Sequence, residues 1–292
     1  MKRFAALIIT ALGLVSLIPV QSSAISGNYA ALGDSVAAGA GLSTTTLCDR
    51  SSAAYPYTVA QTTGLSLSHY ACTGAKADEG LYDSQERSGT SVPAQLNQAF
   101  QSGTPDLITI TIGANDTRWT QFIRQCYYIR CGYSVDTGRF NTYLVDLKLE
   151  LNVVMAKIHS LSDGDPPQVI VTGYYNPFSS TACDTTDRLT STEISWLRAR
   201  SSSLNTAIRG TVGKYSFAKY SPVSFSGHEL CSSDSWIQGP TDLAPFHPTE
   251  AGQQAIAKAV LSKYRTPTND PTGAKSYRER LLDFYERLRS DN

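Results

Sequence analysis

Residues 28–36 read Asn28-Tyr29-Ala30-Ala31-Leu32-Gly33-Asp34-Ser35-Val36. The apolar run 29–32 has the length and composition of a buried strand, and it breaks at Gly33. Val36-Ala37-Ala38-Gly39 then reads as the start of a helix. Further strands are expected at residues 67–70, 107–112, 169–172 and 215–218, each bounded by turn-forming residues. Helical patterns fall between them, at about residues 55–62, 92–100, 141–160, 193–209 and 249–264. The longest carries Leu144, Leu147, Leu151, Val154 and Ile158 on one face. Strands alternating with helices predict an α/β fold, a parallel sheet covered by helices on both faces. The sequence has no internal repeat, and residues 25–265 have the length of one domain.

In such sheets the chemistry collects at the carboxyl ends of the strands. Ser35, Asn115 and the loop carrying Gly74 all follow expected strands. A serine hydroxyl becomes a useful nucleophile only when a base takes its proton. At the point where a strand gives way to a helix, the backbone N–H of Ser35 and the helix N-terminus can face a developing anion. Gly33 lets the chain turn sharply, and Asp34 can tie the turn with side-chain hydrogen bonds. Asn115, in Ile112-Gly113-Ala114-Asn115-Asp116, offers an amide donor after the most apolar strand. Gly74, in Cys72-Thr73-Gly74-Ala75, offers a backbone donor at close approach. Taken singly, Gly-Asp-Ser, the Asn and the Gly are ordinary turn sequences.

The chain has four histidines, His69, His159, His228 and His247. His247 differs in setting. Pro245, Phe246 and Pro248 stiffen its loop, and Thr249 is a natural N-cap for a last helix, with Glu250 in its first turn. This presents an imidazole on a fixed loop, as a general base requires.

The first 24 residues read as an export signal. Lys2 and Arg3 precede an apolar run over residues 4–20, and Gln21-Ser22-Ser23-Ala24 ends in small residues, with cleavage expected after Ala24. The alternative, an uncleaved anchor, would need a run of ~20 apolar residues. No later stretch is long and apolar enough to span, so the mature chain is expected outside the cell and without stable membrane insertion. Cleavage removes two of 25 basic residues and none of 25 acidic ones, leaving a formal charge of −2. With no basic run, nucleic acid is not an expected partner.

Six cysteines suit an oxidising compartment. They are Cys48, Cys72, Cys126, Cys131, Cys183 and Cys231. Fifteen pairings are open to six cysteines; pairing in chain order is expected, since each bridge then staples one surface segment. No Cys-x-x-Cys or clustered Cys/His spacing suggests a metal site. Beyond a linker at residues 266–273, Tyr277, Leu281, Tyr285 and Leu288 form one stripe of an amphipathic helix of mixed charge.

Taken together and in this order, Gly33-Asp34-Ser35, Gly74, Gly113-Ala114-Asn115-Asp116 and His247-Pro248-Thr249 resemble the SGNH hydrolases, the GDSL esterase/lipase family. The likeness spans about residues 28–264. The cysteine content, the Ala37-Ala38-Gly39 continuation and the export signal look most like secreted actinobacterial lipases and esterases of that family. The resemblance implies a flavodoxin-like α/β/α sandwich with five mainly parallel strands and three sequential disulfides. It also implies an acyl-enzyme on Ser35, His247 as base, and an oxyanion hole from the Ser35 and Gly74 amides and the Asn115 side chain, with no cofactor or metal. A monomer acting on a small-molecule or lipid ester follows. Two positions depart from the family pattern. Val36 stands where the family name has Leu. Ala244 stands where many members place an Asp that orients the histidine. The expectation is a Ser35–His247 dyad oriented by the Ala244 carbonyl, with Asp242 as the alternative.

A phospholipase or a carbohydrate O-deacetylase of the same fold is the nearest alternative. A non-catalytic extracellular binding module is a further one. The tyrosine-rich chain and the aromatic segment 119–133 suit an acyl groove, a sugar platform or a packed flap equally well.

Overall fold

The computed structural model describes residues 27–43, 46–180, 183 and 188–265. The expected export signal and the expected C-terminal helix lie outside the described residues. The central sheet has five parallel strands: β1 (Asn28–Gly33), β2 (Ser66–His69), β5 (Leu107–Thr111), β6 (Gln168–Thr172) and β7 (Ala218–Ser221), in the order β2-β1-β5-β6-β7. A separate hairpin pairs β3 (Gln85–Arg87) with β4 (Thr90–Val92), which the sequence pattern did not announce. Without the hairpin, the order is that of a flavodoxin-like sheet. The order of strand addition reverses between β1 and β5, where such sheets place their ligands.

The helices are α1 (Ser35–Ala38), α2 (Tyr55–Thr63), α3 (Gln95–Phe100), α4 (Trp119–Tyr128), α5 (Ser134–Leu161), α6 (Ser191–Val212) and α7 (Glu250–Leu261). They flank the sheet as the outer layers of an α/β/α sandwich, with α2 packed on α7 and α5 on α6. Five buried residues of β5, Leu107–Thr111, lie between β1 and β6, as a central parallel strand requires.

Local chemistry sets the ends of the helices. Thr190 and Glu193 form a capping box at the start of α6. Thr249 caps α7, accepting from the Gly252 N–H as its position in the sequence suggested. Helix α5 begins seven residues before the expected boundary. Phe140 extends the Leu144-Leu147-Leu151-Val154-Ile158 stripe by one more turn, and Asp136 sits in the first turn. The last strand starts where the expected one ends, because residues 215–218 close a turn, with the Ala218 N–H donating to the Tyr215 carbonyl. The bridges are Cys48–Cys72, Cys126–Cys131 and Cys183–Cys231, the sequential set. No helix among the described residues is long and apolar enough to cross a membrane.

Candidate active site

The loop carrying Ser35 begins where β1 runs beside β5. Gly33 has a φ of +136°, and a Cβ there would lie 2.3 Å from the Thr111 carbonyl oxygen, so the turn admits only glycine. Asp34 donates its N–H to that same carbonyl at 2.9 Å, and its carboxylate caps α1 through the Val36 N–H at 2.9 Å. The other carboxylate oxygen accepts from the Tyr174 hydroxyl, which itself accepts from the Ala114 N–H at 3.1 Å. Burial pushes the Asp34 carboxyl up to about 7, against the pull of the Tyr174 O–H and the Val36 N–H. A buried carboxylate thus ties the loop of Ser35 to the loop of Asn115.

Three buried glutamines hold the same turn. Gln95 grips the backbone of Gly33, accepting from its N–H at 2.7 Å and donating to its carbonyl at 3.0 Å. Gln253 on α7 accepts from the Tyr55 N–H at 2.9 Å and donates to the Val36 carbonyl at 3.0 Å. Gln238 donates to the Ala40 carbonyl at 3.0 Å and the Pro248 carbonyl at 3.1 Å, joining the serine loop to the histidine loop. His69 supports α1 from below, its Nε2 bonded to the Ala37 carbonyl at 3.0 Å. Burial pulls its pKa down to about 4.

Ser35 and His247 are brought together across 212 residues, with Nε2 2.7 Å from Oγ. Nδ1 lies 3.1 Å from the Pro245 carbonyl oxygen, which can only accept. That bond fixes the tautomer: Nδ1 carries the proton, and the Nε2 lone pair faces the serine hydroxyl. The expected acceptor, the Ala244 carbonyl, lies one residue before Pro245 and also raises the pKa of the ring. The Ala244 carbonyl accepts the backbone N–H of His247, and the Asp242 carboxylate accepts the Gly239 N–H at 2.7 Å. Phe246, between Pro245 and His247, has a φ of +67°, a conformation of order 1–3 kcal/mol above the common wells for a non-glycine residue. Bonds from the Phe246 N–H to the Gln238 carbonyl (3.0 Å) and from the Tyr175 hydroxyl to the Phe246 carbonyl (2.6 Å) hold it there. Burial lowers the His247 pKa; the Pro245 and Ala244 carbonyls and the charge of Asp49 oppose that only in part.

Asn115 follows β5, and its amide nitrogen donates to the Ala75 carbonyl at 2.9 Å. One amide hydrogen is thereby held and the second left for another acceptor. Asp116 accepts from the Ala77 N–H at 2.9 Å, so residues 115–116 and 75–77 form one unit. Burial raises the Asp116 carboxyl to about 6. Gly74 sits at φ +87°, with the nearest atom 4.0 Å from a would-be Cβ, at the lip of an open cleft of about 480 Å³. That cleft is shared by Ser35, Gly74, Asn115 and His247, and Leu42, Leu243 and Ala244 form part of its rim.

On the other side of Ser35 runs a narrow slot of about 40 Å³ between Trp119 and Ile123 of α4 and Tyr175, Pro177 and Phe246. A polar hollow of about 450 Å³ behind Asn205 contains neither the serine nor the histidine. Among the described residues no group of three or more His, Cys, Asp or Glu side chains is placed to hold a metal ion.

The sequence pattern missed Tyr174, Gln95, Gln238 and Gln253. Only Gln253 left a signal. It lies on the buried stripe of α7 with Gly252, Ile256, Ala257 and Val260, a polar residue where an apolar one was due.

The description "GDSL-like Lipase/Acylhydrolase family" matches residues 31–255. A lipase of Streptomyces rimosus is 29% identical over 249 residues, covering 80% of this chain and 85% of its own. Lipase 1 of Streptomyces coelicolor is 30% identical, covering 83% and 88%. Among solved structures, phospholipase A1 from Streptomyces albidoflavus NA297 superposes with a TM-score of 0.63 at 25% identity, over 82% of this chain and all of that one. The extracellular lipase of Streptomyces rimosus does so with a TM-score of 0.65 at 24% identity, over the same shares. The chain therefore belongs to the GDSL-like lipase/acylhydrolase family, and it is a carboxylic-ester hydrolase of the SGNH type.

Proposed function

We propose that the chain is an exported serine hydrolase of lipid esters, with Ser35 as nucleophile and His247 as the single base. The observation that carries this is the 2.7 Å contact from Oγ to an Nε2 whose tautomer is set by the Pro245 carbonyl. Nε2 takes the serine proton as Oγ attacks the ester carbonyl. The oxyanion faces the Ser35 and Gly74 N–H groups and the free hydrogen of the Asn115 amide. His247 then protonates the departing alcohol, and water repeats the cycle to release the acid. The imidazolium formed in between is met by a neutral carbonyl and not by a carboxylate.

The apolar slot beside α4 is the acyl side, and the open cleft takes the alcohol. The apolar side chains of Trp119, Ile123, Pro177 and Phe246 along it favour an acyl chain over a polar headgroup. The alcohol is either a glycerol ester or a phospholipid headgroup, and the phospholipase A1 among the similar structures supports including the second. Export rests on Lys2-Arg3, the apolar run 4–20 and Ala24 as the cleavage site, and three disulfides accord with an oxidising destination. Residues 25–265 are the catalytic domain of a monomer in this reading.

The test is a series of nitrophenyl esters from acetyl to palmitoyl, with a phospholipid beside them, on the mature protein and its Ser35→Ala variant. Turnover rising with chain length and lost in the variant is expected. Turnover retained by Ser35→Ala would remove the serine from the mechanism. A short-chain optimum would remove the slot from its assigned role.

A further inference from the structure

The far end of α4 carries an apolar surface that the other described residues leave uncovered. Tyr128 is 67% exposed, Ile129 74%, Tyr133 59% and Val135 62%. Large apolar groups this open, and this close in sequence, mark an interaction surface more often than chance exposure does. The loop between α4 and α5 is held in shape by the Cys126–Cys131 bridge, whose two cysteines are buried beneath it. The patch is thus presented on a stapled turn.

Its charge has one sign. Arg118, Arg124, Arg130 and Arg139 are all exposed along residues 118–139. The only acid in that stretch, Asp136, is buried and occupied by the Gln125 amide and the Tyr133 N–H. Arg130 has one remote ionic neighbour, Glu193 at 3.7 Å, and keeps 59% of its side chain exposed. Arg118 and Arg139 lie over the rings of Tyr143 and Phe122. Arg188 lies over Tyr127, the half-buried neighbour of the patch. The whole chain is formally neutral, so a local excess of three positive charges is a feature of this segment and not of the protein.

The patch and the candidate site share one helix. Trp119 and Ile123 of α4 line the slot beside Ser35, and Tyr128 ends the same helix. Five residues separate Ile123 from Tyr128, about 8 Å along the helix axis.

We propose that this aromatic and arginine-flanked turn is a docking surface for an anionic lipid aggregate, seating the mouth of the α4 slot at the lipid–water boundary. Tyrosine suits the interfacial layer, where its ring is apolar and its hydroxyl wet. Each arginine near an anionic surface is worth on the order of five-fold in partitioning. The proposal rests on the lipid-ester reading above and deepens it: the substrate is taken from an aggregate, not from free solution.

The experiment uses the full mature protein with Ser35→Ala, so that no hydrolysis alters the lipid. It is sedimented with vesicles of phosphatidylcholine containing phosphatidylglycerol, and with phosphatidylcholine alone. Partitioning into the mixed vesicles at least ten-fold above the zwitterionic ones is expected, falling as salt is raised. Adding Tyr128→Ser and Ile129→Ser should cut partitioning by about ten-fold. Adding Arg124→Gln and Arg130→Gln should remove the preference for the anionic vesicles. With Ser35 restored, both variants should hydrolyse a soluble acetyl ester at the wild-type rate, which also reports that they fold.

Equal partitioning of variant and parent would overturn the proposal, as would absence from anionic vesicles. A dimer in light scattering that dissociates in the Tyr128→Ser, Ile129→Ser variant, without vesicle binding, would assign the patch to a second copy instead. Loss of the ester-hydrolase reading would show separately, as absent nitrophenyl turnover with vesicle binding intact.

Discussion

The two walls of the candidate site are built from opposite materials. The wall carrying Ser35 is buried and held by polar bonds: Gln95, Gln238, Gln253 and the Asp34–Tyr174 pair each bind main-chain or side-chain groups of the turn. The wall formed by α4 is apolar toward the slot and exposed at its far end, and its nearest covalent restraint is a bridge closing a short loop. An ester carbonyl is the same in every substrate, whereas the acyl chain is not. Rigid polar bonding suits the first and loose apolar packing the second, since hydrogen bonds demand fixed distances and dispersion contacts tolerate rearrangement.

The largest expected effect lies on the fixed wall. Asn115→Ala removes the side-chain donor and frees the Ala75 carbonyl. Turnover should fall about 100- to 1,000-fold with little change in KM. The loss should be equal for acetyl and palmitoyl esters, because the proposed role of the donor is to serve the carbonyl alone. A loss that grew with chain length would break the division between the walls.

Gln253→Leu comes next. It leaves the Tyr55 N–H and the Val36 carbonyl buried without partners. Each orphaned group costs roughly 1–3 kcal/mol, so a drop of about 2–6 kcal/mol in unfolding free energy is expected from urea titration. Activity should fall alike on all esters as the serine loop loosens. If stability fell while the chain-length profile stayed flat and turnover held, the glutamine would be holding α2 to α7 and not the nucleophile.

Removing the Cys126–Cys131 bridge, as Cys126→Ala with Cys131→Ala, probes the other wall. Its loop is short, with a separation of 5 residues against 48 for Cys183–Cys231. Chain-entropy arguments give about 2 kcal/mol for the first and about 4 kcal/mol for the second. The thermal midpoint should therefore drop less for the short bridge. The rate on long-chain esters should change relative to acetyl esters, which measure the fixed wall only. A uniform change across the series would mean that α4 is as tightly coupled to the chemistry as the serine loop.

The contrast also explains what could be read from the sequence. The sheet was legible because buried parallel strands leave apolar runs such as 107–111, bounded by turn residues. The two groups in contact, Ser35 and His247, were legible because each follows a local pattern, a strand-to-helix turn and a capped helix. The polar bonds that hold them were not. A buried Gln makes its bonds to main-chain atoms up to 217 residues away; Gln253 stands out on its buried helix stripe, but nothing nearby in sequence names its partners, and Gln95 and Gln238 carry no mark at all. The Pro245 carbonyl beside His247 went unread for a related reason. It adjoins Phe246, whose positive φ is a backbone state that a phenylalanine does not advertise. Segment 119–133 was ambiguous because an aromatic surface left open and one packed away share one composition.

The smallest effect separates two buried titrating groups on the same wall. In the proposed mechanism His247 must be neutral to take the serine proton, so activity should be lost as pH falls through the His247 pKa. Burial holds that pKa below the ordinary 6.5, so the acid limb of kcat/KM on a soluble ester should lie below 6.5. Asp34 is raised instead, to about 7. The native state then binds its proton more tightly than the unfolded chain does, so this group's contribution to stability is full below the usual carboxylate pKa near 4 and declines as pH rises to about 7. An activity limb near 7 would thus report Asp34 and not the base, and Asp34→Asn would abolish it. A limb below 6.5 belongs to His247. In that case Tyr175→Phe, which releases the Phe246 carbonyl, should let water reach the imidazole and move the limb upward toward 6.5. No movement would mean that the backbone bonds of Gln238 to Phe246 and His247 hold the histidine loop without the tyrosine.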